Sequence, residues 1–314
     1  MKSSKIDQII CPRCGNDVFN KSSINFECNK CGQEYPIYNN IPLLFDQKKS
    51  LFTYDDLINH GAAYFRRNKP NKLKDLFYPL LFGIDLDIGN SANFDRILEQ
   101  FPRGQKLSCL ILGGSVLSMG IQKIYDGCQE VITSDISFSK HVDIIFDCHN
   151  IPYKDSRFDI VIIEAVLEHV INPQKVVQEI HRVLRKDGIV YAEIPFMQQV
   201  HGGAYDFQRF THTGILKLFS DFEEIQTKVI GGPGLALCWS YRYFLLTFFE
   251  NTKVRRLVEI FANLTSFPLR WMDYILCKKK MSMDAASAFS YLGKRSLNKL
   301  EDKSIIKKYI GGFN

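Results

Sequence analysis

Four cysteines near the start of the chain sit in two matching frames, Cys11-Pro-Arg-Cys14-Gly15 and Cys28-Asn-Lys-Cys31-Gly32, with 13 residues between them. Two C-x-x-C pairs at this spacing suit a tetrahedral four-thiolate zinc site, Cys11, Cys14, Cys28 and Cys31. The glycine after each second cysteine can take the positive φ that turns backbone amides toward the sulfurs. Two redox dithiols are the competing reading, but neither pair has the strand-then-helix setting of such a motif. The other five cysteines share no spacing.

A second stretch with chemical potential is 110–120, Leu-Ile-Leu-Gly-Gly-Ser-Val-Leu-Ser-Met-Gly, followed by Val-Ile-Thr-Ser-Asp-Ile-Ser at 131–137. An apolar run enters a glycine turn, and the next apolar run closes on Asp135, 22 residues after Gly113. That is near the distance at which an acid meets ribose hydroxyls. A nicotinamide site would share this spacing but normally adds G-x-G-x-x-G, which is absent here. A third stretch, His201-Gly-Gly-Ala-Tyr-Asp206-Phe-Gln-Arg209-Phe-Thr-His, gathers histidines, an acid, an arginine and three aromatic rings. Rings stack on sugars or bases, and Asp and Arg fix hydroxyls or phosphates. A hydroxyl acceptor also needs a general base. His201 is the first candidate, with His169 and Asp206 behind it, and Arg209 is the candidate clamp. The competing reading is an internal Asp206–Arg209 ion pair, with the histidines as capping or packing groups.

The elements that place these residues alternate. Continuous apolar runs end at Gly113, Asp135, Asp147 and the acid of 157–166, and another follows at 189–195. Between them, 172–188 has helical spacing: Asn172 caps, Pro173 opens, Val176, Val177, Ile180, Val183 and Leu184 share a face, and Gly188 closes. Strands alternating with helices predict a doubly wound, mostly parallel α/β sheet whose ligands lie at the carboxyl ends of the strands. The runs 222–230 and 285–293 complete it as an edge pair.

Three resemblances follow from these residues. The paired C-x-x-C-G with Tyr-Pro-Ile…Asn-Ile-Pro-Leu-Leu at 35–44 resembles the small zinc-ribbon family of methyltransferase activators. The run 105–230, with Asp147-x-x-x-Ile151-Pro152, Phe158-Asp-Ile-Val, Leu167-Glu-His-Val and Val183-Leu-Arg-Lys-Asp-Gly, resembles class I S-adenosylmethionine-dependent methyltransferases. That resemblance implies a Rossmann-like sheet of seven strands. It places Gly113, Gly114 and Ser115 against the cofactor's methionine and ribose and gives Asp135 the ribose hydroxyls. It sets Asp147 with Cys148 or His149 at the adenine amino group and Glu164 near the sulfonium. Two positions depart from the family pattern: Ile111 stands where an acid is usual, and Ser115 where a second glycine is. The stretch from 192 to 219, with parts of 266–295, is similar to methyltransferase-domain proteins of bacterial surface-polysaccharide biosynthesis. A small-molecule, sugar, glycan or lipid-linked acceptor is thereby implied.

The expected organisation is a zinc ribbon over 1–46, a helical connector or lid over 47–104, the core over 105–234, and a helical insertion with the last strand over 235–314. Charge is uneven: 236–314 carries net +8, although the whole chain carries +6. The aromatic, basic insertion at 235–280 reads either as a surface meeting the inner membrane or as core-packed helices or a dimer interface. No apolar leader or membrane span is evident, so the expected location is cytoplasmic. Two other function classes stay open. One is a catalytically degenerate docking partner. The other is a nucleic-acid methyltransferase, disfavoured because no N/D-P-P-Y/F motif is present and the central domain is not basic.

Overall fold

The computed structural model describes residues 8–60 and 90–313. The N-terminal cysteine pairs lie in a four-stranded antiparallel ribbon, β1 (Phe19–Lys21), β2 (Asn25–Cys28), β3 (Glu34–Tyr38) and β4 (Ile41–Pro42). Asn39 and Asn40, both at positive φ, make the tight turn between β3 and β4. Helix α1 (Tyr54–His60) follows. Residues 61–89 of the expected helical connector lie outside the described residues, and α2 (Asn90–Leu98) resumes the chain.

The core then alternates β5 (Ser108–Leu112), α3 (Gln122–Gly127), β6 (Glu130–Ser134), β7 (Phe158–Glu164), α4 (Pro173–Val183), β8 (Leu184–Pro195), α5 (His212–Leu218) and β9 (Phe222–Gly231). Helices α6 (Pro233–Leu246) and α7 (Thr252–Leu276) precede β10 (Ala288–Arg295) and α8 (Asp302–Lys307). The sheet order is β6-β5-β7-β8-β10-β9; β5 to β8 run parallel, and β10 is antiparallel to both neighbours. This is the expected Rossmann-like mostly parallel fold. Residues of α2 and α3 cover one face, and α4, α5 and α8 cover the other.

Two expectations change. Among the described residues the sheet has six strands, not seven. The segment expected as the third strand makes only single bridges, Ser134 with Ile144 and Leu43 with Ile145. The Asp143 carboxylate accepts the Thr133 amide at 3.0 Å, so a side chain takes a donor that a regular ladder would give to a main-chain carbonyl. Helix α4 also stops at Val183, before Gly188. Asp187 takes a positive φ (65°) at the irregular start of β8, between Leu184 and Ile189, and a Cβ on Gly188 would stand 2.9 Å from the Arg185 carbonyl oxygen.

The ribbon is packed into the core. Ile9, Cys11, Phe26, Cys28 and Tyr35 share one buried cluster with Phe146, Tyr153 and Phe158. The Ile145 amide donates to the Pro42 carbonyl at 2.9 Å, and the Leu44 amide donates to the Ile145 carbonyl at 2.8 Å. Segment 142–146 thus lies between the ribbon and β6. Among the described residues no helix is long and apolar enough to cross a membrane.

Candidate functional site

The glycine turn after β5 is held without room for side chains. Gly113 sits at φ +86°, where a Cβ would stand 2.4 Å from Val166 Cγ2, and a Cβ on Gly114 would stand 2.2 Å from Thr133 Cγ2. Both amides donate to the Ser134 carbonyl, at 2.9 and 3.1 Å. Asp135 faces this turn from the end of β6. Its Oδ2 accepts the Ser115 amide at 2.9 Å and its Oδ1 the Ser137 amide at 2.7 Å, and the residue stays partly exposed. The loop and the acid therefore form one hydrogen-bonded unit at the carboxyl edge, the place where nucleoside ligands bind in such sheets.

Glu164 ends β7 and lies in register with Glu193 on β8. Burial, with the charge of Glu193 added, pushes the Glu164 pKa up to about 8, although Ser118 Oγ donates to it at 3.2 Å. Glu193 accepts from the Tyr191 hydroxyl at 2.6 Å, and that hydroxyl accepts from Asn93 of α2 at 3.0 Å.

Asp147 and His149 form a turn of their own. Both the His149 amide and its Nδ1 reach Asp147 Oδ1, at 2.9 and 2.6 Å, while His149 Nε2 accepts the Asn172 amide at 3.1 Å. With Nε2 accepting, Nδ1 carries the proton and donates to Asp147. Burial raises the Asp147 pKa, but hydrogen bonds from His149 and Ser50 outweigh it and leave the carboxyl below its ordinary value. The His149 amide, expected at the adenine edge beside Asp147, is turned onto the Asp147 carboxylate. Cys148 is largely buried, and burial raises its thiol pKa. Glu179 and Arg182, which sequence spacing did not single out, pin the next turn: Glu179 Oε2 accepts the Ile151 amide at 2.9 Å, and Arg182 donates to the Ile151 and Tyr153 carbonyls.

The loop after β8 is organised by Asp206 and Arg209. The guanidinium pairs with both Asp206 oxygens and donates to the carbonyls of Gln198, Gln199 and Gln208 at 2.7–3.1 Å. All five donors are used inside the chain. Asp206 Oδ2 also accepts the amides of His201 and Gly202, at 2.7 and 3.1 Å. Burial acts to raise the Asp206 pKa, yet the Arg209 bonds and these amides hold it well below the carboxylate range. Arg209, expected to clamp an acceptor, therefore fixes the loop, and the internal ion pair is the arrangement present.

His169 lies in the short 3₁₀ turn Leu167–His169 directly after β7, and its ring meets His201 edge-on with centroids 5.0 Å apart. Glu168 raises the His201 pKa above the ordinary imidazole value, burial opposes this, and Asp206 adds to the rise. Sequence reading passed over Glu168 because nothing in its spacing distinguishes it from a helix-turn acid. Tyr205 stacks on Phe52 at 5.7 Å, so the segment before α1 reaches this loop.

The four ribbon sulfurs lie within 4.8 Å of one another. Cys11–Cys31 and Cys14–Cys28 are 3.7 and 3.6 Å apart. These spacings match the edge of about 3.8 Å of a tetrahedron with metal–sulfur bonds of about 2.3 Å. Gly15 and Gly32 take positive φ, 74° and 65°. The cysteines are unpaired as disulfides, and the set fits a zinc ion.

Residues 125–192 match the family described as a methyltransferase domain. Over this stretch the chain is similar to a methyltransferase domain. The match runs from α3 into β8 and takes in Asp135, Asp147 and Glu164. Among solved structures, phosphoethanolamine N-methyltransferase 2 of Haemonchus contortus, in complex with S-adenosyl-L-methionine, is similar at 15% identity, over 79% of this chain and 61% of that one, with a TM-score of 0.43. A complex between the Haloferax volcanii Trm112 methyltransferase activator and a methyltransferase is 14% identical over 73% and 98%, with a TM-score of 0.41. The YcgJ protein of Bacillus subtilis is 12% identical over 67% and 100%, at 0.39. No curated protein sequence matches the chain.

Proposed function

We propose that the protein transfers a methyl group from S-adenosylmethionine to an oxygen of a small-molecule, sugar or lipid-linked glycan acceptor. The observation that carries this reading is the matched domain itself, with Asp135 hydrogen-bonded to the crowded Gly113–Ser115 turn at the carboxyl edge of the sheet. The cofactor supplies an electrophilic methyl on a sulfonium. Gly113, Gly114 and Ser115 bring backbone close to it, and Asp135 accepts the ribose hydroxyls. Asp147, with Cys148 and His149, borders the adenine, and Glu164 lies near the sulfonium end. On the acceptor side, His201 or His169 receives the hydroxyl proton, and the Asp206–Arg209 pair holds the loop in place. Alignment of acceptor with methyl supplies much of the rate in such a displacement. The sugar class rests on the resemblance of the 192–219 stretch and on the rings beside His201, Trp239 among them.

The ribbon holds one structural zinc through Cys11, Cys14, Cys28 and Cys31. Helices α6 and α7 and the turn between them suit contact with an anionic membrane surface: Leu237, Phe244, Leu257, Phe261 and Ile275 of the helices and Phe248 of the turn are each more than half exposed, and the last quarter of the chain carries the net +8.

Calorimetric titration with S-adenosylhomocysteine tests the main reading. The wild type binds, and Asp135→Ala weakens binding by about 1.5–3 kcal/mol, the range for hydrogen bonds to a charged group. Unchanged affinity in the variant removes Asp135 from the site, and tight NADH binding in its place overturns the reading.

A further inference from the structure

Glu168 is an anomaly. Its side chain is 1% exposed, and neither carboxylate oxygen has a hydrogen-bond partner among the described residues. A buried carboxylate without hydrogen bonds is costly and persists when a cation or a metal satisfies it. Two imidazoles surround it at distances too long for direct hydrogen bonds: His201 Nε2 is 3.6 Å and His169 Nε2 is 3.8 Å from Glu168 Oε1. The three ligand atoms lie within 4.8 Å of one another. Atoms bound at about 2.0–2.2 Å to one ion stand about 3.3–3.6 Å apart at tetrahedral angles, which the His201 distance meets and the His169 distance slightly exceeds.

The other ring nitrogens are turned to backbone carbonyls. His169 Nδ1 is 2.7 Å from the Tyr205 carbonyl, and His201 Nδ1 is 3.3 Å from that of Gln199, with Arg209 Nη2 at 3.4 Å and Asp206 Oδ2 at 3.6 Å also facing it. This is how ligating histidines are usually oriented: a carbonyl takes the Nδ1 proton and Nε2 is left to coordinate. The surroundings reinforce the placement. A Cβ on Gly202 would stand 2.5 Å from His169 Cε1, so the glycine lets the loop close over the ring. The Asp206–Arg209 pair, bonded to the amides of His201 and Gly202, sets the position of His201 itself.

We propose that Glu168, His169 and His201 form a second metal site, separate from the cysteine ribbon, for a divalent transition ion of the zinc, cobalt or iron class. Two imidazoles and one carboxylate favour such ions over calcium or magnesium, which prefer all-oxygen sites. Three protein ligands leave at least one position open, as in catalytic zinc centres. On the methyl-transfer reading above, on which this part rests, the open position takes the acceptor oxygen, and the ion lowers the proton affinity of that oxygen. Ligation and proton transfer would use the same His201 nitrogen, so with metal bound the histidines act as ligands in place of the base role above, the ion activates the hydroxyl, and the hydroxyl proton passes to solvent water, which reaches the partly exposed His201.

The test needs neither cofactor nor acceptor. Full-length protein stripped of metal is titrated with Co²⁺ and followed by absorption and by metal analysis after dialysis. Two equivalents are expected, one with thiolate charge-transfer bands from the ribbon and one with only the weaker bands of nitrogen and oxygen ligands. Glu168→Gln and His201→Ala should each weaken the second equivalent by more than about 100-fold while retaining the thiolate-bound ion. The retained ribbon signal reports that each variant is folded. A wild type that binds a single equivalent, or a second equivalent unchanged in both variants, overturns the site. If the second ion is lost in Glu168→Gln while S-adenosylhomocysteine still binds, the metal site and the cofactor site are separate, and failure of one leaves the other standing.

Discussion

At position 164 a glutamate closes a parallel strand beside a second glutamate, and the two cannot both stay ionised cheaply in a partly buried site. The Glu164 pKa moves from the ordinary 4.5 to about 8. Its consequence for stability has a definite sign. Between those values the unfolded chain has released the proton and the folded chain keeps it, so the folded state binds more protons. Stability therefore falls as pH rises through this window, with a limiting slope of about 1.4 kcal/mol per pH unit. Glu164→Gln, which stays neutral, should flatten this dependence. Urea unfolding at pH 5, 6, 7 and 8 measures it, and equal slopes for wild type and variant rule the Glu164 proton out as the source.

At the scale of elements, α6 and α7 form a hairpin fastened to the rest by a few contacts. The Asp273 carboxylate of α7 accepts the Gly234 and Leu235 amides at the start of α6, at 2.8 and 2.9 Å, and so caps that helix. A Cβ on Gly234 would stand 2.0 Å from the Leu269 carbonyl oxygen, so only glycine permits this approach. Of α6 only Gly234, Ala236 and Cys238 are buried. Leu237 and Phe244 of α6, with Leu257, Phe261, Trp271 and Ile275 of α7, are exposed, which a fully inward-packed hairpin would not leave so. The membrane reading predicts that the protein sediments with vesicles containing phosphatidylglycerol and that salt weakens the binding. Leu257→Glu with Phe261→Glu should abolish it. Binding that is absent, or indifferent to both substitutions, excludes an interfacial role for these helices.

For the whole molecule, the ribbon and the sheet share one buried cluster, so loss of the proposed zinc should be felt throughout. Cys28→Ser is expected to remove the thiolate-bound zinc equivalent and lower the single unfolding temperature by at least about 5 °C. About 1 kcal/mol corresponds to 2–4 °C in a domain of 150–250 residues, and a small ribbon depends on its metal for more than that. Scanning calorimetry with metal analysis checks both. A separate low-temperature transition, with the main one unmoved, would show the ribbon melting independently.

Much of this architecture was legible in residue order because it depends on local rules. Cysteine spacing, the apolar runs of β5 to β8, the Asn172–Pro173 start of α4 and the acid at the end of β6 are all set by near neighbours in the chain. Tertiary structure decided the rest. A third strand was expected from a good apolar run, but Asp143 and the adjacent ribbon diverted its hydrogen bonds. Arg209 reads in sequence as a charge available to a ligand, and only the folded loop, 198–208, supplies the five acceptors that occupy it. Glu168 has no distinguishing neighbour in sequence. Its importance comes from burial at the end of β7 and from His201, 33 positions away, which a loop after the next strand brings to within 3.6 Å. Spacing encodes what a turn or a strand can do alone, whereas the partners of a buried charge are known only once the chain has closed around it.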